Sequence, residues 1–200
     1  GGNHHGKFIN IFTIGKTFLV RRFFNDTYDF SFVGKHDMPR EQQLADFAKT
    51  LQRYSSSEFT PELKNWTQAF DGLAKLLEAK DTSRKKVIFF DEMPLMDTPK
   101  SDFVSSLENF WNGWAAMRDD IVFVACGSAT SWMIDSLLHN QGGLFNRITR
   151  KIYLRPFRLY EVEQYMDEHH FNWSRYQIAQ CYMISVSYTH LRAHETELHL

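Results

Sequence analysis

Short apolar runs alternate along this chain with longer segments in which apolar residues recur every three or four positions. The short runs predict five strands, at Phe8–Phe12, Tyr28–Val33, Lys86–Phe90, Ile121–Cys126 and Lys151–Leu154. The longer segments predict helices over Lys16–Phe24, Arg40–Tyr54, a stretch opened by Thr60-Pro61-Glu62, a stretch that starts near Pro99, and Thr130–His139. Strands separated by helices predict an α/β fold with a mostly parallel five-stranded sheet, whose ligands bind at the carboxyl ends of the strands.

Aromatic residues contribute much of this helical periodicity. In the first predicted helix the recurring apolar positions are Phe18, Leu19, Phe23 and Phe24. In two later helices they include Trp66, Phe70, Trp111 and Trp114. No basic residues interleave the later series, so we interpret it as core and sheet-covering surface rather than as a platform for stacked bases.

Two segments carry residues suited to phosphate and metal chemistry. Gly15-Lys16-Thr17 opens the first helix, where free backbone N–H groups and the positive end of the helix dipole favour a phosphate. The buried strand Val87-Ile88-Phe89-Phe90 ends in Asp91-Glu92. In nucleotide sites such an Asp holds Mg²⁺ through water, and the adjacent Glu can polarise the attacking water. Together the two segments predict a nucleoside-triphosphate site.

Each half of this pair has an ordinary alternative. Lys16 could be a solvated helix lysine, and the acidic pair could cap the turn after its strand. The first half also departs from the phosphate-loop pattern, because Asn10 stands where the pattern has its first glycine, and Phe12 and Thr13 replace small or basic residues. Asparagine tolerates left-handed backbone but adds a side chain at a tight turn, which predicts a weakened affinity for nucleotide.

Composition and charge restrict the class of protein. The 200 residues are 43% hydrophobic, enough for a sizeable core, and the formal net charge of −1 gives no overall attraction to nucleic acid or anionic membranes. Cys126 and Cys181 lack metal-ligand spacing, and no apolar run approaches the ~20 residues that span a bilayer. The sequence therefore predicts a reduced, cytoplasmic protein without a membrane segment.

The two ends of the chain differ from the middle. Residues Val186–Thr196 read V-S-Y-T-H-L-R-A-H-E-T, which resembles the translation of a transposase-type sequencing-library adapter. We therefore interpret residues 185–200 as a non-native tail. Residues 1–13 start Gly-Gly-Asn-His-His and show no clear period, which predicts an irregular N-terminal lead.

Five segments together resemble one protein family. They are Gly15-Lys16-Thr17-Phe18-Leu19-Val20-Arg21, Phe89-Phe90-Asp91-Glu92-Met93-Pro94, Leu107-Glu108-Asn109-Phe110-Trp111-Asn112, Cys126-Gly127-Ser128-Ala129-Thr130-Ser131-Trp132-Met133 and Leu144-Phe145-Asn146-Arg147. The chain resembles the prokaryotic AAA+-related ATPases of the archaeal-ATPase type, close to the signal-transduction NTPases with numerous domains. The resemblance implies a P-loop ATPase core over residues 14–158 with strand order 5-1-4-3-2, the start of a helical lid over residues 159–184, and ATP with Mg²⁺ as ligands.

The resemblance also implies roles for single residues. The implied site comprises the nucleotide-binding residues Gly15, Lys16, Thr17 and Phe18, the Mg²⁺ ligands Thr17 and Asp91, and the catalytic residues Glu92, Ser128 and Arg147. Ser128 is either a sensor of the γ-phosphate or the N-cap of the following helix. Arg147, with Arg150 as second choice, is either an arginine finger acting from a neighbouring subunit or a surface cation at a helix end.

These inferences predict an ATP-binding, Mg-dependent ATP-hydrolysing core of the AAA+ or STAND-like kind, acting as a molecular switch or motor. Two alternatives stay open at this stage: a nucleotide-responsive binding module without significant turnover, and an inactive truncated fragment. The expected partners are further copies of the chain, if Arg147 acts in trans, and a protein or DNA partner engaged through a C-terminal region beyond residue 200.

Overall fold

A computed structural model of the protein describes residues 6–12, 16–81, 83–127, 132, 144, 148–155 and 157–184. The chain divides into two compact units, with the boundary between Leu154 and Arg155. The first unit holds the sheet and the predicted site, and the described part of the second unit is helical. No helix in the described ranges combines the length and apolar character needed to cross a membrane.

Five parallel strands form the sheet of the first unit. They are β1 (Lys7–Phe12), β2 (Phe30–Val33), β3 (Lys86–Asp91), β4 (Ile121–Gly127) and β5 (Ile148–Tyr153). Their order is β2-β3-β4-β1-β5, and each neighbouring pair is parallel. The predicted α/β fold class is confirmed, and so is the predicted order 5-1-4-3-2, which is the same order counted from the other edge.

Six helices are described. They are α1 (Lys16–Phe23), α2 (Arg40–Ser55), α3 (Trp66–Glu78), α4 (Phe103–Gly113), α5 (Leu159–Glu168) and α6 (residues 175–184). Two short 3-10 turns, Met93–Met96 and Ala115–Met117, follow β3 and α4. The helix predicted over residues 130–139 lies outside the described residues, apart from Trp132.

The helix α3 begins later than the sequence predicts. Its N-cap is Asn65, whose side chain accepts a hydrogen bond from the Gln68 N–H at 2.9 Å. The predicted cap, Thr60, instead donates to the side chain of Gln52. The prediction of a helix start at Thr60-Pro61-Glu62 is therefore wrong, because a second capping residue nearer the apolar stripe satisfies the first free N–H groups of the helix.

The strand β5 also differs from its prediction, since it begins at Ile148 rather than Lys151. Ile148 pairs with Phe8, and the Phe8 N–H donates to the Thr149 side-chain oxygen at 3.0 Å. Polar residues of an edge strand can face solvent, so the apolar pattern marks only its last residues. Sequence periodicity therefore located the strand but not its start.

Successive residues of the strands pack on opposite faces of the sheet. Ile88 and Phe90 join the main core, which α2, α3 and α4 cover. Phe89 joins a smaller cluster with Val20 of α1 and Cys126 of β4. The alternation follows from the two-residue period of a strand. Helices on both faces are therefore confirmed.

Aromatic side chains fill the main core. Trp66, Phe70 and Trp111 are buried, and Trp114 packs half-buried against them while its Nε1 donates to the Glu78 carboxylate at 2.6 Å. Edge-to-face contacts such as Phe47 with Trp66 add directional attraction to the buried area. The interpretation of this aromatic series as core and sheet-covering surface is confirmed.

Helix α1 buries an unexpected face. Its buried residues are Lys16 and Val20, whereas Phe18 is 73% exposed and Phe23 is 77% exposed. Lys16 and Val20 are four residues apart, so they share one side of the helix. The aromatic periodicity therefore predicted the helix but not its inward side, which carries a lysine that points toward the sheet edge.

Candidate functional site

The candidate site lies at the carboxyl edge of the sheet, the edge at which the strands end. Helix α1 begins at Lys16, shortly after β1, and β3 ends at Asp91. The end of β4 lies between these two strands, because Phe12 of β1 is in register with Gly127 of β4. Parallel strands place all three ends at one edge, so residues about 75 positions apart in sequence meet there.

Thr17 and Asp91 form the first contact of the site. The Thr17 Oγ1 hydroxyl donates to Asp91 Oδ2 at 2.6 Å, and the other carboxylate oxygen, Oδ1, accepts from the Glu92 N–H at 3.0 Å. Asp91 is only 5% exposed. Both oxygens of this buried carboxylate are therefore hydrogen-bonded, which offsets the cost of removing the charge from water.

Lys16 and Glu92 form the second contact. The ammonium Nζ of Lys16 donates to Glu92 Oε1 at 2.6 Å. The lysine side chain is 8% exposed and that of the glutamate 27% exposed, so the pair lies at the boundary between protein and solvent. The pair is therefore a short, charge-assisted contact in which only the glutamate keeps much contact with solvent.

Cys126 near the end of β4 reports the electrostatics of the same place. Burial raises the pKa of its thiol, the Asp91 carboxylate adds to the rise, Lys16 opposes it, and Glu92 adds a smaller increase. The thiol therefore stays protonated and unreactive at neutral pH. The sequence patterns did not place Cys126 near the site. Its position at the end of a predicted parallel strand was the signal that could have placed it there.

Glu92 has an unusual backbone. Its φ of 46° and ψ of 44° lie in the left-handed region, which is uncommon for a residue with a side chain. The residue also starts the 3-10 turn Met93–Met96, since its carbonyl oxygen accepts from the Leu95 N–H at 3.0 Å. Strained backbone of this kind is concentrated at functional sites, where surrounding structure maintains it.

The structure brings together four of the predicted site residues, namely Lys16, Thr17, Asp91 and Glu92. Phe18 lies beside them on α1 with its ring in solvent. Gly15, Ser128 and Arg147 lie outside the described residues. Arg150, the second choice for an arginine finger, is an exposed residue of β5.

The donor set fits a magnesium–phosphate ligand. Mg²⁺ binds through one or two carboxylates with phosphate oxygens and water rather than through a full protein cage. Thr17 and Asp91 supply a hydroxyl and a buried carboxylate at the start of a helix, and Lys16 supplies a positive charge beside them. Among the described residues, no three His, Cys, Asp or Glu side chains form a metal-binding group.

Comparison with known proteins identifies the fold. Neither a protein-family model nor a curated protein sequence matches the chain. A solved Walker-type ATPase of Pyrococcus abyssi matches 87% of this chain with a TM-score of 0.59 and 14% identity. Drosophila ORC bound to DNA matches 86% with a TM-score of 0.51 and 14% identity. The chain shares its α/β fold with these two proteins.

The two likenesses concern the fold and not the activity. At 14% identity a shared fold does not carry a shared function. The chain also spans only 57% of the Pyrococcus ATPase and 42% of the matched ORC chain. The chemistry of this chain therefore has to be argued from its own residues.

Proposed function

We propose that this chain binds Mg-ATP at the carboxyl edge of the sheet and hydrolyses it, as the core of a molecular switch or motor. The observation that supports the proposal best is the 2.6 Å hydrogen bond from Thr17 to Asp91. It joins the first turn of α1 to the end of β3, and these are the two places that supply phosphate and Mg²⁺ ligands in P-loop sites.

Binding would use the residues that already meet at this edge. Lys16 would donate to phosphate oxygens, and Thr17 with Asp91 would hold Mg²⁺. Bound Mg²⁺ supplies neutralisation of the charge that develops on the phosphate oxygens. Gly15 and Phe18 complete the proposed nucleotide site, Gly15 through its backbone and Phe18 as an exposed ring next to Thr17.

Hydrolysis would require Glu92 to change partners. Its carboxylate accepts from Lys16 at 2.6 Å in this structure. Once Lys16 donates to phosphate oxygens instead, the Glu92 carboxylate can accept a hydrogen bond from the attacking water and orient it. Ser128 as γ-phosphate sensor and Arg147 as arginine finger, together with a homo-oligomer and a protein or DNA partner, belong to this proposal.

The short Lys16–Glu92 pair favours one alternative function. If the pair persists when nucleotide is bound, Glu92 cannot orient water, and the chain would be a nucleotide-responsive binding module without turnover. Comparing hydrolysis by the parent chain with hydrolysis by Glu92→Gln separates the two functions. A parent rate no higher than the Glu92→Gln rate would leave the binding module as the function.

Calorimetric titration with Mg-ATP tests the proposal at its first step. We expect saturable binding by the parent chain and its loss in Lys16→Ala. Lys49→Ala, an exposed lysine on α2, is the matched control and is expected to bind like the parent. A folded parent chain that shows no saturable binding would contradict both the hydrolysing and the binding function and would favour the inactive fragment.

A further inference from the structure

Gly34, directly after β2, makes an unusually close approach to the site. Its N–H donates to the Asp91 carbonyl oxygen at 2.9 Å, and the residue is buried. A Cβ atom added at this position would lie 2.3 Å from the Glu92 carbonyl oxygen and 3.0 Å from Leu95 Cβ. No side chain fits there unless the backbone of Glu92 moves, so the need for glycine here is one of space.

The Glu92 carbonyl that faces Gly34 belongs to the residue whose carboxylate pairs with Lys16. Its oxygen also accepts from the Leu95 N–H at 3.0 Å, and Glu92 has a left-handed backbone. A shift of this peptide unit would rotate the Cα–Cβ bond of Glu92 and move its carboxylate away from Lys16. The close packing of Gly34 is thus coupled through the backbone to the side chain proposed to orient water.

Gln43 of α2 holds the same turn from the other side. It is 1% exposed, and its Nε2 donates to the Leu95 carbonyl oxygen at 2.8 Å and to the Met38 carbonyl oxygen at 3.1 Å. Helix α2 and the end of β2 therefore contact the turn after Glu92 at two adjacent points. Both contacts reach the turn through backbone atoms, and neither involves a side chain of the predicted site.

We propose that Gly34 and Gln43 are positioning residues for Glu92, which together hold its backbone left-handed so that the carboxylate faces the phosphate site. This inference rests on the proposed function for its catalytic consequence. A residue held in place by its supporting contacts reacts faster, and a displacement of about 1 Å costs on the order of 100-fold in rate. The phosphate ligands Lys16 and Thr17 belong to α1, whereas Gly34 reaches the proposed Mg²⁺ ligand Asp91 through its carbonyl oxygen. We therefore expect a smaller effect on binding than on turnover.

The test compares Gly34→Ala with Gly113→Ala in the full chain. Gly113 ends α4, and an added Cβ there meets nothing within 4 Å, so the control adds the same methyl group without a contact. We expect kcat for ATP hydrolysis to fall about 10-fold to 100-fold in Gly34→Ala, with a much smaller change in KM for Mg-ATP. Gly113→Ala is expected to match the parent in both constants.

Three results would overturn this role. The first is a folded Gly34→Ala chain with the kcat of the parent. The second is a fall in kcat with an equal loss of Mg-ATP affinity, because such a result indicates general damage to the site. If Gly34→Ala does not fold, Gln43→Met takes its place, because it removes the hydrogen bonds to Leu95 and Met38 while keeping the side-chain volume similar. A folded Gln43→Met chain with unchanged kcat would then refute it.

A second readout separates this inference from the proposed function. The Leu95 amide donates to the Glu92 carbonyl, so its hydrogen-exchange rate reports whether the turn is held. We expect faster exchange in Gly34→Ala than in the parent and in Gly113→Ala. If the parent chain does not hydrolyse ATP, the proposed catalytic function fails, and equal exchange in all three chains would show that Gly34 does not hold the turn either.

Discussion

Buried carboxylates lie at both edges of the sheet, and the two edges satisfy them differently. At the amino edge, where the strands begin, Asp120 accepts from Lys86 Nζ at 2.6 Å and from Arg118 Nη2 at 2.7 Å. Asp29 accepts from Arg84 at 2.7 Å and from the Val87 N–H at 2.9 Å, with Lys80 at 3.8 Å. Each carboxylate is thus held by two cations of the chain itself.

The carboxyl edge holds its carboxylates with one ammonium and one hydroxyl. Lys86 at the amino edge is fully buried, whereas in the Lys16–Glu92 pair the glutamate side chain is 27% exposed. Under the proposed function, the Lys16 ammonium and the Thr17 hydroxyl turn to a phosphate oxygen and to Mg²⁺. The comparison teaches that burial alone does not distinguish a structural charge from a candidate functional one, because both edges bury carboxylates. What differs is the set of donors that satisfies them.

Loss of the Asp120 carboxylate is expected to have the largest effect. In Asp120→Ala the buried ammonium of Lys86 loses a partner, and an uncompensated buried charge costs about 3–5 kcal/mol of unfolding free energy. Urea titration measures this quantity. Asp71→Ala, at an exposed position of α3, is the control and is expected to change it by less than about 0.5 kcal/mol. Equal changes in the unfolding free energy of both variants would show that Asp120 does not stabilise the amino edge.

Lys16→Met is expected to give the opposite pattern. The affinity for Mg-ATP, measured by calorimetry, is expected to fall at least about 100-fold, because charge-assisted hydrogen bonds to phosphate are lost. The unfolding free energy without nucleotide is expected to change by less than about 1 kcal/mol, because water can solvate the partly exposed Glu92 and methionine keeps the buried stem. A large loss of stability with unchanged affinity would make the carboxyl edge structural too.

Acid unfolding sharpens the comparison further. Hydrogen bonds from Arg118 and Lys86 hold the pKa of Asp120 well below its usual range, against the effect of burial. The unfolded chain therefore binds the proton first, so the stabilisation is present above the ordinary pKa of an aspartate, about 4, and is lost progressively as the pH falls below it. In Asp120→Asn the unfolding free energy is expected to fall less steeply below pH 4. An unchanged slope would show that other carboxylates dominate acid unfolding.

Arg84→Ala is expected to have the smallest effect. The arginine side chain is 59% exposed, and the Val87 N–H and Lys80 still contact Asp29 without it. A solvent-exposed ion pair contributes about 1 kcal/mol or less. Urea unfolding is the measurement. If Arg84→Ala lost as much unfolding free energy as Asp120→Ala, the exposure of Arg84 would not weaken its ion pair with Asp29.

Sequence patterns predicted the sheet and the meeting of four site residues. Two features were enough to predict that these residues meet: an apolar run that ends in Asp91-Glu92 and a helix that begins with Gly-Lys-Thr. Parallel strands end at one edge of a sheet, which brings the two features together. The patterns did not predict that Lys86 is fully buried in an ion pair, since a charged residue at the start of a strand ordinarily faces solvent. They also missed Gly34 and Gln43, whose partners are backbone atoms far along the chain.

The sequence by itself determined what depends on local periodicity and residue type: the alternation of strands and helices and the chemical character of Lys16, Thr17, Asp91 and Glu92. The order of the strands was predicted only through the family resemblance. Tertiary structure alone decided which side of α1 packs inward, which charged groups form buried ion pairs and which keep contact with solvent, and how Glu92 is held in the left-handed conformation. These features depend on contacts between residues distant in sequence, and a one-dimensional pattern carries no information on the space left between backbones.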